Sequence, residues 1–227
     1  MIELPHIEHH IQKHILSHLM ASQLARFRDM RPPQTDSNLY SYHLKLLIKQ
    51  GLVEKSDQGY ALTILGQVFV DRVNLTTTKR TLQPKIITML IIQDGYGNIL
   101  MYTRRRQPFI GLWTLPLGKV HNADASIQKA AQREVIEKIS GDHMIDLRHA
   151  GDAYIRMKQG DEVFMSTLAH VFYGQTDEIS EPNERWRWVS PRALDGLETS
   201  PAITQIISRT FFRDPYFFEE YDVQWQV

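Results

Sequence analysis

The stretch Gly118-Lys-Val-His-Asn-Ala-Asp124-Ala-Ser-Ile-Gln-Lys-Ala-Ala-Gln-Arg133-Glu134-Val-Ile-Glu137-Lys138-Ile-Ser-Gly141 decides how the larger part of the chain folds. It opens on a glycine, passes through an acidic turn and becomes periodic. Ser126 is a good N-cap, Ala131, Val135 and Ile139 form one apolar stripe at helical spacing, and Gly141 is a stop signal. Beside the stripe Glu134 and Glu137 stand one turn apart, with Lys138 next to them. Two carboxylates so placed suit a divalent cation bound to a diphosphate. Hard oxygen ligands select Mg²⁺ or Mn²⁺, which keep several waters and take their remaining ligands from phosphate. Such an ion neutralises the pyrophosphate and can activate a water. Arg133, four residues before Glu137, is placed to orient that carboxylate. The alternative is a solvated Glu/Lys helix face.

Working outward, Ile86–Gln93 and Ile99–Tyr102 flank the turn Asp94-Gly-Tyr-Gly-Asn98 and predict a strand pair. Arg104, Arg105 and Arg106 follow at the strand end and can hold phosphate bidentately; a solvated strand end is the other reading. Then come Gly111-Leu-Trp113 and Leu115-Pro116, and, past the helix, Trp186-Arg-Trp-Val-Ser190 and Pro191-Arg-Ala-Leu194. Together these stretches resemble the Nudix superfamily, whose box reads G-x5-E-x7-R-E-U-x-E-E-x-G-U (U apolar), across roughly residues 85–210. The resemblance implies a mixed sheet between helices, an α/β/α sandwich. It further implies catalytic roles for Arg133, Glu134 and Glu137, metal ligation by Glu134 and Glu137, and substrate contacts from Arg104, Arg105, Arg106, Gly118 and Lys119. A general base in this superfamily often follows the box, where Glu162, Glu181 and Glu184 are available. Trp113, Phe109 and His121 are candidates to stack a base or ribose, although Trp113 equally suits the core.

The departures from the box bear on activity. The turn carries one extra residue, so Asp124, or Ala125 if the alignment slips, stands at the first acidic position. Lys138 replaces the last Glu of the helix, Leu117 replaces one Gly of the usual pair, and the final Gly is displaced by one. A cation where a metal ligand belongs opposes Mg²⁺ electrostatically.

The first third reads differently. Ile7, Ile11, Ile15 and Leu19 mark one face of an amphipathic helix. Met20 to Met30 predicts a second short helix, closed by Arg31-Pro-Pro33. Asp36 or Ser37 caps a third, Asn38 to Gln50, stopped by Gly51. Leu52–Lys55 and Tyr60–Thr63 make a hairpin around Gly59, and Ile64 to Val73 a closing helix. The segment Tyr42–Lys55, with Gly59–Thr63 and Gly66, resembles the recognition helix, strand and wing of winged helix-turn-helix regulators. That likeness implies major-groove reading by the third helix, whose Ser37, Asn38, Ser41, Tyr42, Lys45 and Lys49 share a polar face, with Lys55 on the wing. Winged helices also serve as dimerisation or docking modules. His6, His10, His14 and His18, with His9 beside them, either form a Zn²⁺ or Ni²⁺ face or simply the polar side of the first helix.

The expected organisation is therefore α+β: a winged helix at 1–75, a polar linker at 76–84, and a Nudix domain at 85–227. The 227 residues are 42% hydrophobic and 23% charged, ordinary for a chain that buries a core. Lys+Arg and Asp+Glu number 26 each, and residues 1–75 carry a net charge of +1, so nucleic acid must be met by a local patch. With no Cys and no secretory signal, and no apolar run of about 20 residues, a cytoplasmic protein without membrane contact is expected. Phe211-Phe-Arg-Asp-Pro-Tyr-Phe-Phe218 is too aromatic to stay in water and should pack on the body or in a homodimer. Two functions fit. One is a Mg²⁺-dependent (or Mn²⁺-dependent) pyrophosphohydrolase of nucleoside diphosphate derivatives. The other is a regulator of double-stranded DNA whose Nudix domain senses a nucleotide-like diphosphate with little or no hydrolysis. A scaffold using both folds without ligand is a third.

Overall fold

Ile11, Ile15, Leu16 and Leu19 place one apolar stripe on α1 (His10–Met20), and all four are buried. In this computed structural model the residues described are 5–73, 75, 83–105, 108–140, 144–177, 186–211 and 216–224. The chain divides into two units, Met1–Leu82 and Gln83–Val227. Most of the expected linker, residues 76–82, lies outside the described residues, as do Arg106, Gly141, Glu181, Glu184 and Phe212–Pro215.

In the first unit α1 packs on α2 (Ser37–Lys49), through Tyr40, Leu44 and Leu47. Asp36 caps α2, accepting from the amides of Asn38 and Leu39 at 2.8 and 3.0 Å. Gly51, at φ 72°, ends it: the Gly51 and Leu52 amides return to the Ile48 and Leu47 carbonyls, the pairing that satisfies the last carbonyls of a helix. The hairpin β1 (Val53–Ser56) and β2 (Gly59–Leu62) and the helix α3 (Ile64–Arg72) complete the unit. The helix expected from Met20 to Met30 does not form. Ala25 instead exchanges both backbone hydrogen bonds with Tyr60, 2.9 Å each, and an amide committed to a strand cannot also bond four residues back. Turns follow, fixed by Tyr40 donating to the Phe27 carbonyl at 2.8 Å. The remaining elements keep the expected order, helix, helix, hairpin and closing helix.

The second unit is built on one mixed sheet. Its strands are β3 (Lys85–Gln93), β4 (Ile99–Thr103), β5 (Trp113–Thr114), β6 (Leu117–Lys119), β7 (Arg148–Gln159), β8 (Glu162–Gln175), β9 (Trp186–Val189) and β10 (Phe217–Gln224). The order is β10-β7-β8-β3-β4-β5, with β6 beside β3 and β9 beside β4. The pairs β3–β8 and β7–β10 are parallel; the others are antiparallel. β3 reads as a continuous apolar run because both its faces are covered. Ile87, Met89 and Ile91 join a core with Ile203, Ile206 and Ile207 of α5 (Ile203–Thr210). Leu90 and Ile92 join another with Ala131 and Val135 of α4 (Ile127–Val135). This is the α/β/α sandwich.

Two details position the site. After Val135 the helix widens to π geometry over Ile136–Ser140; a π turn takes up one extra residue, the insertion that displaces Gly141 from the usual box spacing. At the far edge the aromatic tail enters β10, where Phe217 is buried in the core while Phe211, Tyr216 and Phe218 remain exposed. No described helix is long and apolar enough to cross a membrane.

Candidate functional site

Ser126 starts α4 by accepting from the Lys129 amide at 3.1 Å, and the stripe Ala131–Val135 fixes the helix against the sheet. This turns Arg133 and Glu134 toward β6. Asp124, rather than Ala125, meets Arg133: its two oxygens accept from Nε and Nη2 at 2.9 and 3.0 Å, and Oδ2 also takes the His121 amide at 2.7 Å. The Arg133 hydrogen bonds, then the His121 amide, hold the Asp124 carboxyl down to about 2. Arg133 is itself raised, first by its bond to Asp124, and it also donates to the Lys119 carbonyl and to Glu134 Oε1 at 2.7 Å. Its Nη1 stands 3.5 Å from Glu137 Oε2.

Glu134 is 3% exposed. Its carboxylate lies directly on Gly118, where a Cβ would stand 1.7 Å from the Glu134 Cδ; only glycine fits. The Lys138 ammonium approaches Glu134 Oε2 to 2.5 Å, outside hydrogen-bond geometry, so the contact is ionic, and Lys138 donates instead to the Leu117 carbonyl. Both oxygens of Glu134 thus face cations of the chain itself. Glu137, with half its side chain exposed, presents its carboxylate to solvent.

On the opposite face of β6 lies a cleft. The register pairs Ile87 with Lys119 and Met89 with Leu117, while Thr88 faces Gly118, so Leu117 and Lys119 point away from Glu134. The cleft, about 250 Å³, has walls of Ile87, Met89, Leu117, Ile155, Met157, Met165 and Ile203, with Phe109 at its side. Lys85, Arg104 and Lys119 line it, and among the described residues no carboxylate does. Thr114 and Ser200, also in its wall, are 0% and 6% exposed, yet neither hydroxyl has a hydrogen-bond partner. Buried hydroxyls seldom go without partners. Apolar walls with positive charge among them suit an anion carrying an apolar or aromatic part.

The other expected site residues scatter. Arg104 lines the cleft and donates Nε to the Pro108 carbonyl at 2.8 Å; Arg105 is exposed and outside it. Trp113 packs against the core, with the Arg187 guanidinium 4.9 Å from its ring centre. His121 is exposed in the acidic turn, and Glu162 is exposed at the start of β8. Lys85, Thr114, Ser200 and the three methionines were not legible as site residues, since nothing in their local sequence marks them. In the first unit Ser37, Asn38, Tyr42, Lys45, Lys49 and Lys55 are exposed and Ser41 is half-buried. Arg31, unremarked in the sequence, donates to Ser37 Oγ at 2.7 Å. His6, His10 and His14 are exposed, and among the described residues the ligand-type side chains that converge lie elsewhere.

The profile of the NUDIX domain matches residues 83–211. No curated protein matches significantly. Among solved structures, the MutT protein of Bacillus halodurans superposes with a TM-score of 0.51 at 15% identity, over 62% of this chain and 90% of that one. The NUDIX domain of Shewanella oneidensis NrtR, complexed with ADP ribose, gives 0.47 at 12% identity, over 63% and 94%. NrtR complexed with a 27mer DNA gives 0.46 at 14%, over 55% and 59%. The profile match covers more than half of the 227 residues, and the chain belongs to the Nudix family.

Proposed function

We propose that this protein is a ligand-responsive DNA-binding regulator. Its Nudix domain takes a nucleotide-like diphosphate into the cleft and hydrolyses it little or not at all, and its first unit reads double-stranded DNA with α2. One observation carries the choice: Arg133 and Lys138 occupy the two oxygens of Glu134. As arranged, Glu134 and Glu137 do not fit a hydrated Mg²⁺ or Mn²⁺ ion, which needs open oxygen ligands and is repelled by an ammonium at that position. Recognition then rests on the chain's own groups. Lys85, Arg104 and Lys119 attract the phosphates. The hydroxyls of Thr114 and Ser200, buried in the wall, accept from or donate to the polar edge of the ligand once it displaces the side chains over them, and the Met157–Met165 wall takes its flat part.

The test uses ADP-ribose, the ligand of the Shewanella complex. Calorimetry in EDTA should give saturable binding, and incubation with Mg²⁺ or Mn²⁺ should release no phosphate monoester. Lys138→Glu should create Mg²⁺ binding. Turnover by the parent, abolished by Glu137→Gln, would overturn the regulator and leave the Mg²⁺-dependent pyrophosphohydrolase; the solvent-facing carboxylate of Glu137 is what favours that second reading. For DNA, Lys45→Ala with Lys49→Ala should weaken binding to duplexes of any sequence. It should also flatten the salt slope by about 1 for each phosphate no longer neutralised. A homodimer belongs to the same proposal, because a unit of net charge +1 reaches few phosphates alone, and two copies read paired half-sites. Light scattering at low micromolar concentration gives the mass that decides it.

A further inference from the structure

A bulge in β7 brings together residues that a regular strand would keep apart. Positions i and i+3 of an unbroken strand face opposite sides of the sheet. The register of β7 on β8 shifts between His149 and Gly151, and His149 and Asp152 come onto one face. Asp152 pairs across to His170 on β8. Asp152 Oδ1 then lies 2.9 Å from His149 Nε2 and 2.7 Å from His170 Nδ1, and the Tyr216 hydroxyl donates to Oδ2 at 2.6 Å. Among the described residues this is the one trio of such side chains whose ligand atoms all fall within 4.8 Å of one another.

We propose that His149, Asp152 and His170 form a binding site for a divalent transition-metal ion of the Zn²⁺ class. Two imidazole nitrogens and one carboxylate oxygen suit Zn²⁺ and its neighbours far better than Mg²⁺ or Ca²⁺, which ask for oxygen alone. Three protein ligands leave the fourth tetrahedral position open. The ligands stand on adjacent paired strands rather than on a loop, so their geometry is held before the ion arrives. His170 and Asp152 are largely buried, while His149, 38% exposed at its side chain, leaves a way in. Outer contacts hold two of the ligands: Tyr216 fixes the second carboxylate oxygen, as a ligating carboxylate is held in built metal sites, and Phe172 stacks on the His149 ring at 5.0 Å. Through Tyr216, bound metal would tie the entry of β10 to the β7–β8 pair. The site is independent of the cleft, whose Ile155 and Met157 alternate with Asp152 onto the other face of β7.

The probe is Zn²⁺ itself, titrated into the EDTA-stripped full chain at about pH 7.5 against a chromophoric chelator, since imidazole ligands must be neutral to bind. One equivalent should bind. His149→Gln and His170→Ala should each weaken that binding at least about 100-fold, and Tyr216→Phe about 10-fold, the usual loss for an outer hydrogen bond. Because the first helix also carries histidines, His10→Gln with His14→Gln should leave the site unchanged. His149 is exposed, so its variant should unfold at the parent's midpoint in EDTA and at a lower midpoint than the parent in Zn²⁺. Failure of the parent to bind, parent-like binding by either His149→Gln or His170→Ala, or loss of binding in the His10/His14 variant would each overturn the proposal.

Discussion

The two faces of β6 dispose of charge in opposite ways. On the α4 side Asp124, Glu134 and Glu137 meet Arg133 and Lys138 within a few ångströms. On the cleft side, among the described residues, three cations stand without a carboxylate and two buried hydroxyls have no partner. The first face carries the residues a motif search finds, and their charges are paired: Glu134 Oε2 has an ammonium at 2.5 Å though no hydrogen bond, and Glu137 turns to solvent beside Arg133. The second joins Arg104 and Lys119, which the sequence names, to Lys85, Thr114 and Ser200, which it does not, and its two hydroxyls have no partner. Readiness for a ligand is a property of unsatisfied groups, and a box that pairs its own charges has the form of a site with its interactions turned inward.

The largest expected effect tests how tightly the α4 face is closed. Gly118→Ala puts a methyl inside the Glu134 carboxylate, which Arg133 and Lys138 prevent from moving. It should destabilise the second unit by about 3 kcal/mol. All four tryptophans (113, 186, 188 and 225) lie in that unit, so tryptophan fluorescence during denaturation reports it alone. Stability within about 0.5 kcal/mol of the parent would mean the contact yields easily. Next, Lys138→Ala leaves a buried carboxylate oxygen without its cation and should cost about 2 kcal/mol by the same measurement. If the variant gained stability, Lys138 would be a burden on the face rather than its seal.

The cleft should behave in the reverse sense. Thr114→Val keeps the shape and removes a hydroxyl that has no partner, so folding stability should stay level or rise. ADP-ribose affinity should fall roughly tenfold, the worth of one hydrogen bond. Calorimetry and denaturation on the same variant separate the two sides: a stability loss without an affinity loss would place that hydroxyl in the fold rather than the site. The smallest effect is in pH. Asp124 is held near 2, below its ordinary 3.8, so its contribution is fully present above about pH 4 and is lost as pH falls through about 2. Asp124→Asn should remove that part of the acid dependence, read as the unfolding midpoint between about pH 5 and pH 2.

Much of the chain is legible because local chemistry and tertiary structure agree. The caps at Asp36 and Ser126, the stop at Gly51, and the alternating cores on β3 all fall where hydrophobic period and turn residues place them. The segment Ala21–Met30 defeats local reading because its helical propensity is overridden by the Ala25–Tyr60 pairing, a partner 35 residues away in sequence. At the site, spacing names Arg133, Glu134 and Glu137, and the resemblance to the Nudix box marks Lys138 as the departure. Neither tells that Lys138 reaches Glu134 rather than water.

By itself the sequence determined most of the helices and strands and the α4 carboxylate face, since these follow from periodicity, caps and the i, i+3 and i, i+4 geometry of one helix, while the α/β/α architecture came from the resemblance to the Nudix box. Only the tertiary structure decided that Glu134 is buried on Gly118 and enclosed by two cations, that Lys85, Arg104, Lys119, Thr114 and Ser200 share one cleft, and that a bulge sets His149 beside Asp152 and His170. Each of these depends on strand register. A shift of one residue moves every side chain to the other face of the sheet, and register is set by long-range packing that no local pattern records.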